Sequence, residues 1–216
     1  MRTKLLVAVP TLDFVHSAFM ECLIKLTKRL SLECVDFDVC IISGTLVYVA
    51  RDRLANKAIN EDFTHVLWLD SDMVFQPDIF RDLLDTGKDF VTGIYHARRP
   101  GHASCIFKRC DELDHIERFD KYPSDTFEIG GCGFGCVLIK TDILKAVKLN
   151  YKTCFLPKPQ LGEDIAFCQR ARAMGFKIWC EPSVQCGHIG HITVYPEDEE
   201  RWRQGLYYPG EGDKNG

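Results

Sequence analysis

The chain has 216 residues, a length at which an α/β protein ordinarily forms a single domain. Hydrophobic residues make up 46% and charged residues 27% of the chain, which excludes a disordered protein, a collagen-like repeat and a small disulfide-rich scaffold. With 27 basic and 31 acidic side chains, the formal net charge of −4 predicts no general binding to nucleic acid.

The eleven cysteines include no C-x-x-C pair, and an odd number does not suit a disulfide framework. We interpret them as the reduced thiols of a cytoplasmic protein. Late in the chain, a possible metal-binding cluster consists of Cys180, Cys186, His188 and His191. Its spacing fits none of the usual zinc-finger patterns, so a structural zinc is the less favoured interpretation. No apolar run reaches the roughly 18 residues that suggest a membrane span, and we expect neither export nor a transmembrane segment.

The first half of the chain alternates between strands and helices. The apolar run at 4–9 predicts a central strand, and a helix is expected from Asp13 to about Arg29. FDVCIISG predicts a second strand, VARDRLANKAINED a second helix, and THVLWLDSD a third strand with an acidic end. A helix from Pro77 to Leu84 and the strand DFVTGIYHA follow. This order predicts an α/β fold with a doubly wound, mostly parallel sheet and helices on both faces.

The second half is less regular. Residues 97–128 contain short alternating runs typical of hairpins or loops, and GGCGFGCVLIKTDILKAV then predicts a glycine-rich turn, a strand and a short helix. GEDIAFCQRARAMG predicts a helix that begins at Gly162 and ends at Gly175, and KIWCEPS predicts another strand. Residues 196–216 are expected to form an exposed and partly flexible tail.

The strongest chemical signal is VLWLDSDMVF, in which Asp70 and Asp72 follow a buried strand. Ligands of open α/β sheets bind beyond the carboxyl ends of the strands, so both carboxylates stand where a site is expected. A turn at the strand end would let both reach one hard cation, for which Mg²⁺ or Mn²⁺ is suited. For an isolated D-x-D, an acidic turn that caps the next helix is the alternative.

Three further features support a site. Arg51 follows the second strand, where its guanidinium would pair with phosphate. Glu163 and Asp164 place two carboxylates at a helix start, and His188 and His191 would add imidazole nitrogen to an oxygen-rich metal site. Each feature alone also fits a surface ion pair, a helix cap or a loop histidine, so the interpretation depends on their occurring together.

In this order, the segments resemble those of GT-A glycosyltransferases, especially small bacterial and phage members of the family 2 type. The matching segments span most of the chain: VAVPT, VARDRLANKAI, LWLDSDMVF, GGCGFGCVLIK, LGEDIAFCQRARAMGFKIW and VQCGHIG. The resemblance implies one GT-A catalytic domain over residues 1–195. Its nucleotide-sugar half would end near residue 95, and its acceptor half would begin near residue 96.

The resemblance implies metal-dependent transfer of a sugar from a UDP- or GDP-sugar to an acceptor hydroxyl. It assigns Mn²⁺ or Mg²⁺ to Asp70, Asp72 and a late histidine. It also suggests Asp164 as the catalytic base, with Glu163 as the fallback. A base on the acceptor side, opposite the leaving diphosphate, predicts inversion at the anomeric carbon.

The nucleotide is expected near the ends of the first and third strands. The resemblance places Arg51 and Thr11 there, and we expect the same of Pro10, Asp70, Ser71 and His191. The glycine-rich turn would edge the pocket of a glycan, lipid, protein or modified nucleobase acceptor. Two departures from the family pattern are Asp52, where Asn is common, and IISGTLVY, which lacks the common acidic residue after the second strand.

His188 and His191 would point to opposite faces of an extended segment, so only one is expected to ligate the metal. We assign the metal to His188 and donor binding to His191.

Two other functions fit parts of the sequence. The segment around Asp70 also matches the first motif of haloacid-dehalogenase-like phosphohydrolases, but that motif normally follows the first strand of its fold. A degenerate GT-A fold that binds a sugar nucleotide without turnover is the second alternative, since fold alone does not establish activity.

Overall fold

The computed structural model describes residues 3–98, 102–110 and 116–190. The predicted tail at 196–216 lies outside these residues, and so does His191, to which we assigned donor binding. Within the described part of the chain, no helix is long and apolar enough to cross a bilayer.

The strands of the described residues are, in chain order, β1 (Lys4–Pro10), β2 (Asp36–Ile42), β3 (His65–Leu69), β4 (Met73–Val74), β5 (Phe90–Ile94), β6 (Ile106–Phe107), β7 (Arg109–Cys110), β8 (Ile116–Glu117), β9 (Phe127–Ile129), β10 (Gly131–Cys132), β11 (Cys136–Lys140), β12 (Ile178–Gln185) and β13 (Gly187–His188). The helices are α1 (Ser17–Leu32), α2 (Val47–Asn60), α3 (Ile79–Asp85), α4 (Thr141–Tyr151) and α5 (Glu163–Ala173).

A seven-stranded sheet in the order β2-β1-β3-β11-β5-β12-β9 forms the centre of the fold. Strand β1 is parallel to β2 and β3, and β5 is parallel to β12. Strand β11 runs antiparallel between β3 and β5, and β9 is antiparallel to β12 at the edge. The predicted α/β fold with a mostly parallel sheet is confirmed.

The sequence predicted a strand in the segment that forms β11, but not its antiparallel place between β3 and β5. The first four residues of β11 are fully buried, so the strand can occupy the middle of the sheet with both faces covered. The second half of the chain therefore completes the sheet that the first half begins.

Helices cover both faces of the sheet. Leu6 and Ala8 of β1 enter a core with α2, α4 and α5, whereas Leu5, Val7 and Val9 enter a second core with α1 and α3. Successive side chains of a strand point to opposite faces, so a continuous apolar strand contributes to both cores. The interior of β1 is completely buried as a result.

Helix α1 begins at Ser17, four residues after the predicted start at Asp13. The Thr11 hydroxyl donates to the Phe14 carbonyl over 2.6 Å, and the His16 amide donates to the Ser71 carbonyl over 3.2 Å. The first bond closes a turn within the loop and the second ties the loop to the segment after β3, so residues 11–16 lie outside the helix.

Candidate active site

A cleft of about 460 Å³ opens beyond the carboxyl ends of β1 and β3. Its walls come from the loop after β1, the start of α2, the acidic turn after β3, and the segments after β5 and β12. The lining residues are Pro10, Thr11, Leu12, Asp13, Phe14, His16, Val47, Asp70, Ser71, Asp72, Arg98 and His188. The structure therefore brings six of the sequence-predicted site residues to one cleft: Pro10, Thr11, Asp70, Ser71, Asp72 and His188.

The acidic turn is held at both ends. The Met73 amide donates to the Asp70 carbonyl over 3.1 Å, which closes the turn, and the Asp70 amide donates to the Gly135 carbonyl over 3.2 Å. The two-residue strand β4 that follows pairs with β13, which places His188 opposite Met73. This short antiparallel ladder carries the late histidine to the acidic turn.

Thr11 and Ser71 form a direct link between the loop after β1 and the acidic turn. The Ser71 hydroxyl donates to the Thr11 hydroxyl oxygen over 2.9 Å. In the structure this pair shapes the cleft wall. A contact of either residue with a nucleotide stays a prediction.

Asp72 and His188 face each other across the cleft floor, with 3.5 Å between Asp72 Oδ2 and His188 Nε2. His188 Nδ1 lies 2.9 Å from the His96 carbonyl oxygen, which can only accept, so Nδ1 carries a proton. The Nε2 atom then presents either a lone pair or a second proton to Asp72. Desolvation raises the pKa of Asp72, but the hydrogen bond and charge of His188 and the charge of Arg98 outweigh this effect. The pKa of Asp72 is therefore lowered.

The Asp72 and His188 pair fits a divalent cation. Two adjacent ligands, each about 2.1 Å from an ion, lie about 3.0 to 3.5 Å apart, which agrees with the observed 3.5 Å. A backbone carbonyl that fixes the far nitrogen of a histidine is also the usual support of a metal ligand. The carboxylate and the imidazole could therefore supply two ligands to an ion such as Mn²⁺ or Mg²⁺.

Asp70 borders the same cleft, but Arg51 holds one of its oxygens. Arg51 Nη2 donates to Asp70 Oδ1 over 2.9 Å. Burial raises the pKa of Asp70, and the charge of Arg51 partly offsets that rise. Across residues 3–98, 102–110 and 116–190, no three His, Cys, Asp or Glu side chains are arranged to hold one ion. The expected three-ligand group of Asp70, Asp72 and His188 is not formed.

The expectation that Arg51 reaches phosphate does not fit its position. Its side chain is only 4% exposed and does not line the cleft. Besides Asp70, it donates to Glu163 Oε1 over 3.3 Å and to the Phe134 carbonyl over 3.4 Å. Arg51 thus joins the acidic turn, the glycine-rich turn and the start of α5 from within the protein. The amphipathic pattern of α2 does not predict whether the Arg51 side chain faces the cleft or is buried behind it.

Glu163 and Asp164 differ in their surroundings. The Glu163 carboxylate accepts from Arg51, whereas Asp164 has no arginine donor bonded to it in the described residues. Burial and the neighbouring charge of Glu163 raise the pKa of Asp164 to about 6. Neither residue lines the cleft, although a Cβ at Gly133 would collide with the Tyr95 hydroxyl and lie 3.5 Å from Asp164 Oδ2. The absence of a side chain at Gly133 therefore leaves room for the Tyr95 hydroxyl beside the glycine-rich turn.

The sequence prediction did not assign a site role to Tyr95. The Tyr95 hydroxyl accepts from the Gly135 amide over 3.1 Å, and its ring contacts His188 edge-on, with 5.6 Å between centroids. Arg98 Nη1 lies 3.0 Å from Asp72 Oδ2. Tyr95 and Arg98 follow β5, so the carboxyl-end rule that singled out Asp70 also applies to them.

The fold resembles solved structures of low sequence identity. One is described as A197 from STIV, with a TM-score of 0.62 and 19% identity over 88% of this chain and 87% of that chain. Another is GalNAc-T7 with UDP, GalNAc and Mn²⁺, with a TM-score of 0.56 and 12% identity over 90% of this chain and 45% of that chain. The chain has the GT-A fold. It spans less than half the length of the GalNAc-T7 chain.

No family profile and no curated protein matches the sequence. At 12% and 19% identity, the structural likeness establishes the GT-A fold alone.

Proposed function

We propose that the protein is a metal-dependent glycosyltransferase that moves a sugar from a UDP- or GDP-sugar to an acceptor hydroxyl with inversion. The observation that carries the proposal is the Asp72 and His188 pair, 3.5 Å apart at the open end of a GT-A sheet. The likeness to GalNAc-T7, whose structure contains UDP and Mn²⁺, supports the same ligand classes.

The donor would lie in the cleft with its diphosphate at Asp72 and His188. When bound there, Mn²⁺ or Mg²⁺ would neutralise charge that develops on the leaving diphosphate, an effect worth several kcal/mol. Thr11 and Ser71 line the adjoining wall, and Pro10 ends β1 beside them. These residues would bind and orient the nucleotide part of the donor.

Asp164 is the proposed base. With a pKa of about 6, its carboxylate is mostly ionised at neutral pH and can still take up the proton of an acceptor hydroxyl as the new bond forms. The Glu163 carboxylate is engaged with Arg51, which leaves Asp164 as the better candidate of the two. Attack by an acceptor hydroxyl from the Asp164 side, with the diphosphate leaving on the opposite side, would give inversion.

The GT-A fold removes the basis for the phosphohydrolase alternative. Asp70 follows the third strand of the sheet, and its carboxylate is paired with Arg51. Hydrolysis of the donor distinguishes an enzyme from a protein that binds the donor without turnover. We expect release of nucleoside diphosphate from one member of a UDP-sugar and GDP-sugar panel with Mn²⁺ and none with EDTA, as followed by chromatography.

The variant for this assay is His188→Ala, and the control is His65→Ala. His65 begins β3, at the end of the strand away from the acidic turn. Release should fall with the first and persist with the second. Tight donor binding with no release from any member of the panel, even with acceptor mixtures, would establish a binding protein instead. NMR of the product linkage from a donor of known anomeric configuration tests inversion, and a retained configuration contradicts it.

A further inference from the structure

Arg98 shares a carboxylate oxygen with the candidate metal site. Its Nη1 atom lies 3.0 Å from Asp72 Oδ2 and donates to the Ile189 carbonyl over 3.3 Å. The same Asp72 oxygen faces His188 Nε2 at 3.5 Å. A guanidinium and an imidazole therefore converge on one oxygen atom.

A divalent cation between Asp72 and His188 would take this same oxygen. The guanidinium of Arg98 would then lie within a few ångströms of the ion, and like charges at that distance repel strongly. Arg98 and a metal ion therefore exclude each other at Asp72. The side chain of Arg98 is 42% exposed, so it has room to move into the cleft.

The diphosphate of a donor offers Arg98 a second partner. Among the described residues that line the cleft, Arg98 is the only arginine or lysine, while three carboxylates, those of Asp13, Asp70 and Asp72, stand around it. A guanidinium can donate to two phosphate oxygens at once. Without Arg98, the carboxylates of the cleft would repel a diphosphate. Arg51 does not take this role, because it is buried against Asp70 and Glu163.

We propose that Arg98 is an exchangeable cation of the site: it neutralises Asp72 when no divalent ion is bound, and it transfers to the donor diphosphate when an ion takes its place. The proposal rests on the proposed function for its donor, but the exchange itself is measurable with metal and pyrophosphate. It makes two predictions of opposite sign for one substitution.

The first test measures binding of Mn²⁺ alone by titration calorimetry. Arg98→Ala should bind Mn²⁺ about 2- to 5-fold more tightly than the unsubstituted protein, because the competing cation is gone. Arg81→Ala is the matched control, since Arg81 of α3 is also 42% exposed and pairs over 2.8 Å with Glu33, which follows α1. Equal or weaker Mn²⁺ binding by Arg98→Ala overturns the proposal.

The second test measures pyrophosphate binding at saturating Mn²⁺. Arg98→Ala should bind pyrophosphate about tenfold or more weakly, the usual cost of a lost hydrogen bond to a charged group, and Arg98→Lys should recover part of the loss. Unchanged pyrophosphate affinity overturns the proposal, as does an unsubstituted protein that binds neither probe. Failure of the proposed function looks different: no sugar nucleotide is hydrolysed, yet the two affinities still shift in opposite directions.

Discussion

Asp164 gives the site its expected pH dependence. Because burial and Glu163 raise its pKa to about 6, the rate at limiting donor should rise with pH through about 6 and then level off. Asp164→Asn should lose about 10² to 10⁴ in kcat and leave donor affinity nearly unchanged. Initial rates between pH 5 and 8 measure both effects. Normal turnover by the variant would falsify the base assignment.

The same carboxyl should also affect stability. A pKa raised from 3.8 to about 6 means that folding favours the protonated form, so its stabilising contribution is full below pH 3.8 and is lost as pH rises through about 6. Asp164→Asn should therefore raise the free energy of unfolding by about 1 to 3 kcal/mol at pH 8 and by much less at pH 4. Urea unfolding at the two pH values measures the difference. An equal gain at both would contradict the raised pKa.

At the scale of the elements, Asp52 of α2 holds the segment that leads toward α5. Its Oδ1 accepts from the Cys154 and Phe155 amides over 2.8 and 2.9 Å, and its Oδ2 accepts from the Thr153 hydroxyl over 2.7 Å. From the other side, Arg170 donates to the carbonyl oxygen of Cys154 over 2.8 Å. These bonds tie α2 and α5 to the segment that joins α4 and α5.

Asp52→Ala should lower the free energy of unfolding by about 2 to 3 kcal/mol, because it leaves buried donors without an acceptor. Asp52→Asn is the control, since its amide oxygen can still accept from both backbone amides and its cost should stay below about 1 kcal/mol. Chemical denaturation compares the two. Equal losses would show that charge, and not the acceptor geometry, is what matters.

Element type followed well from the sequence, whereas boundaries and pairing depended on distant partners. Every long helix and strand of the first half was predicted from its periodicity. The start of α1 was placed too early, because the bond from the His16 amide to the distant Ser71 carbonyl has no local signal in the sequence. The two-residue strands β4 and β13 are likewise too short to produce a pattern.

For the whole molecule, the edge of the sheet that carries the site followed from the order of strands and the position of Asp70 and Asp72. The pairing of Asp72 with His188 and with Arg98 required the assembled fold, since three separate segments meet there. The burial of Arg51 behind Asp70 was also beyond sequence periodicity, because it depends on how the glycine-rich turn packs on α2. The predicted roles of Asp164 as base and of His191 in donor binding stay predictions.

The most direct test of the account measures the thermal stability of the protein with a UDP-sugar or GDP-sugar, in the presence of Mn²⁺ and of EDTA. At a hundredfold excess over Kd, binding with Mn²⁺ should add about 2.7 kcal/mol, or roughly 5 to 10 °C in Tm, and EDTA should abolish the shift. His188→Ala should need more Mn²⁺ for the same shift. An equal shift with EDTA, or no shift with any sugar nucleotide, would contradict a cation at Asp72 and His188 that binds the donor diphosphate.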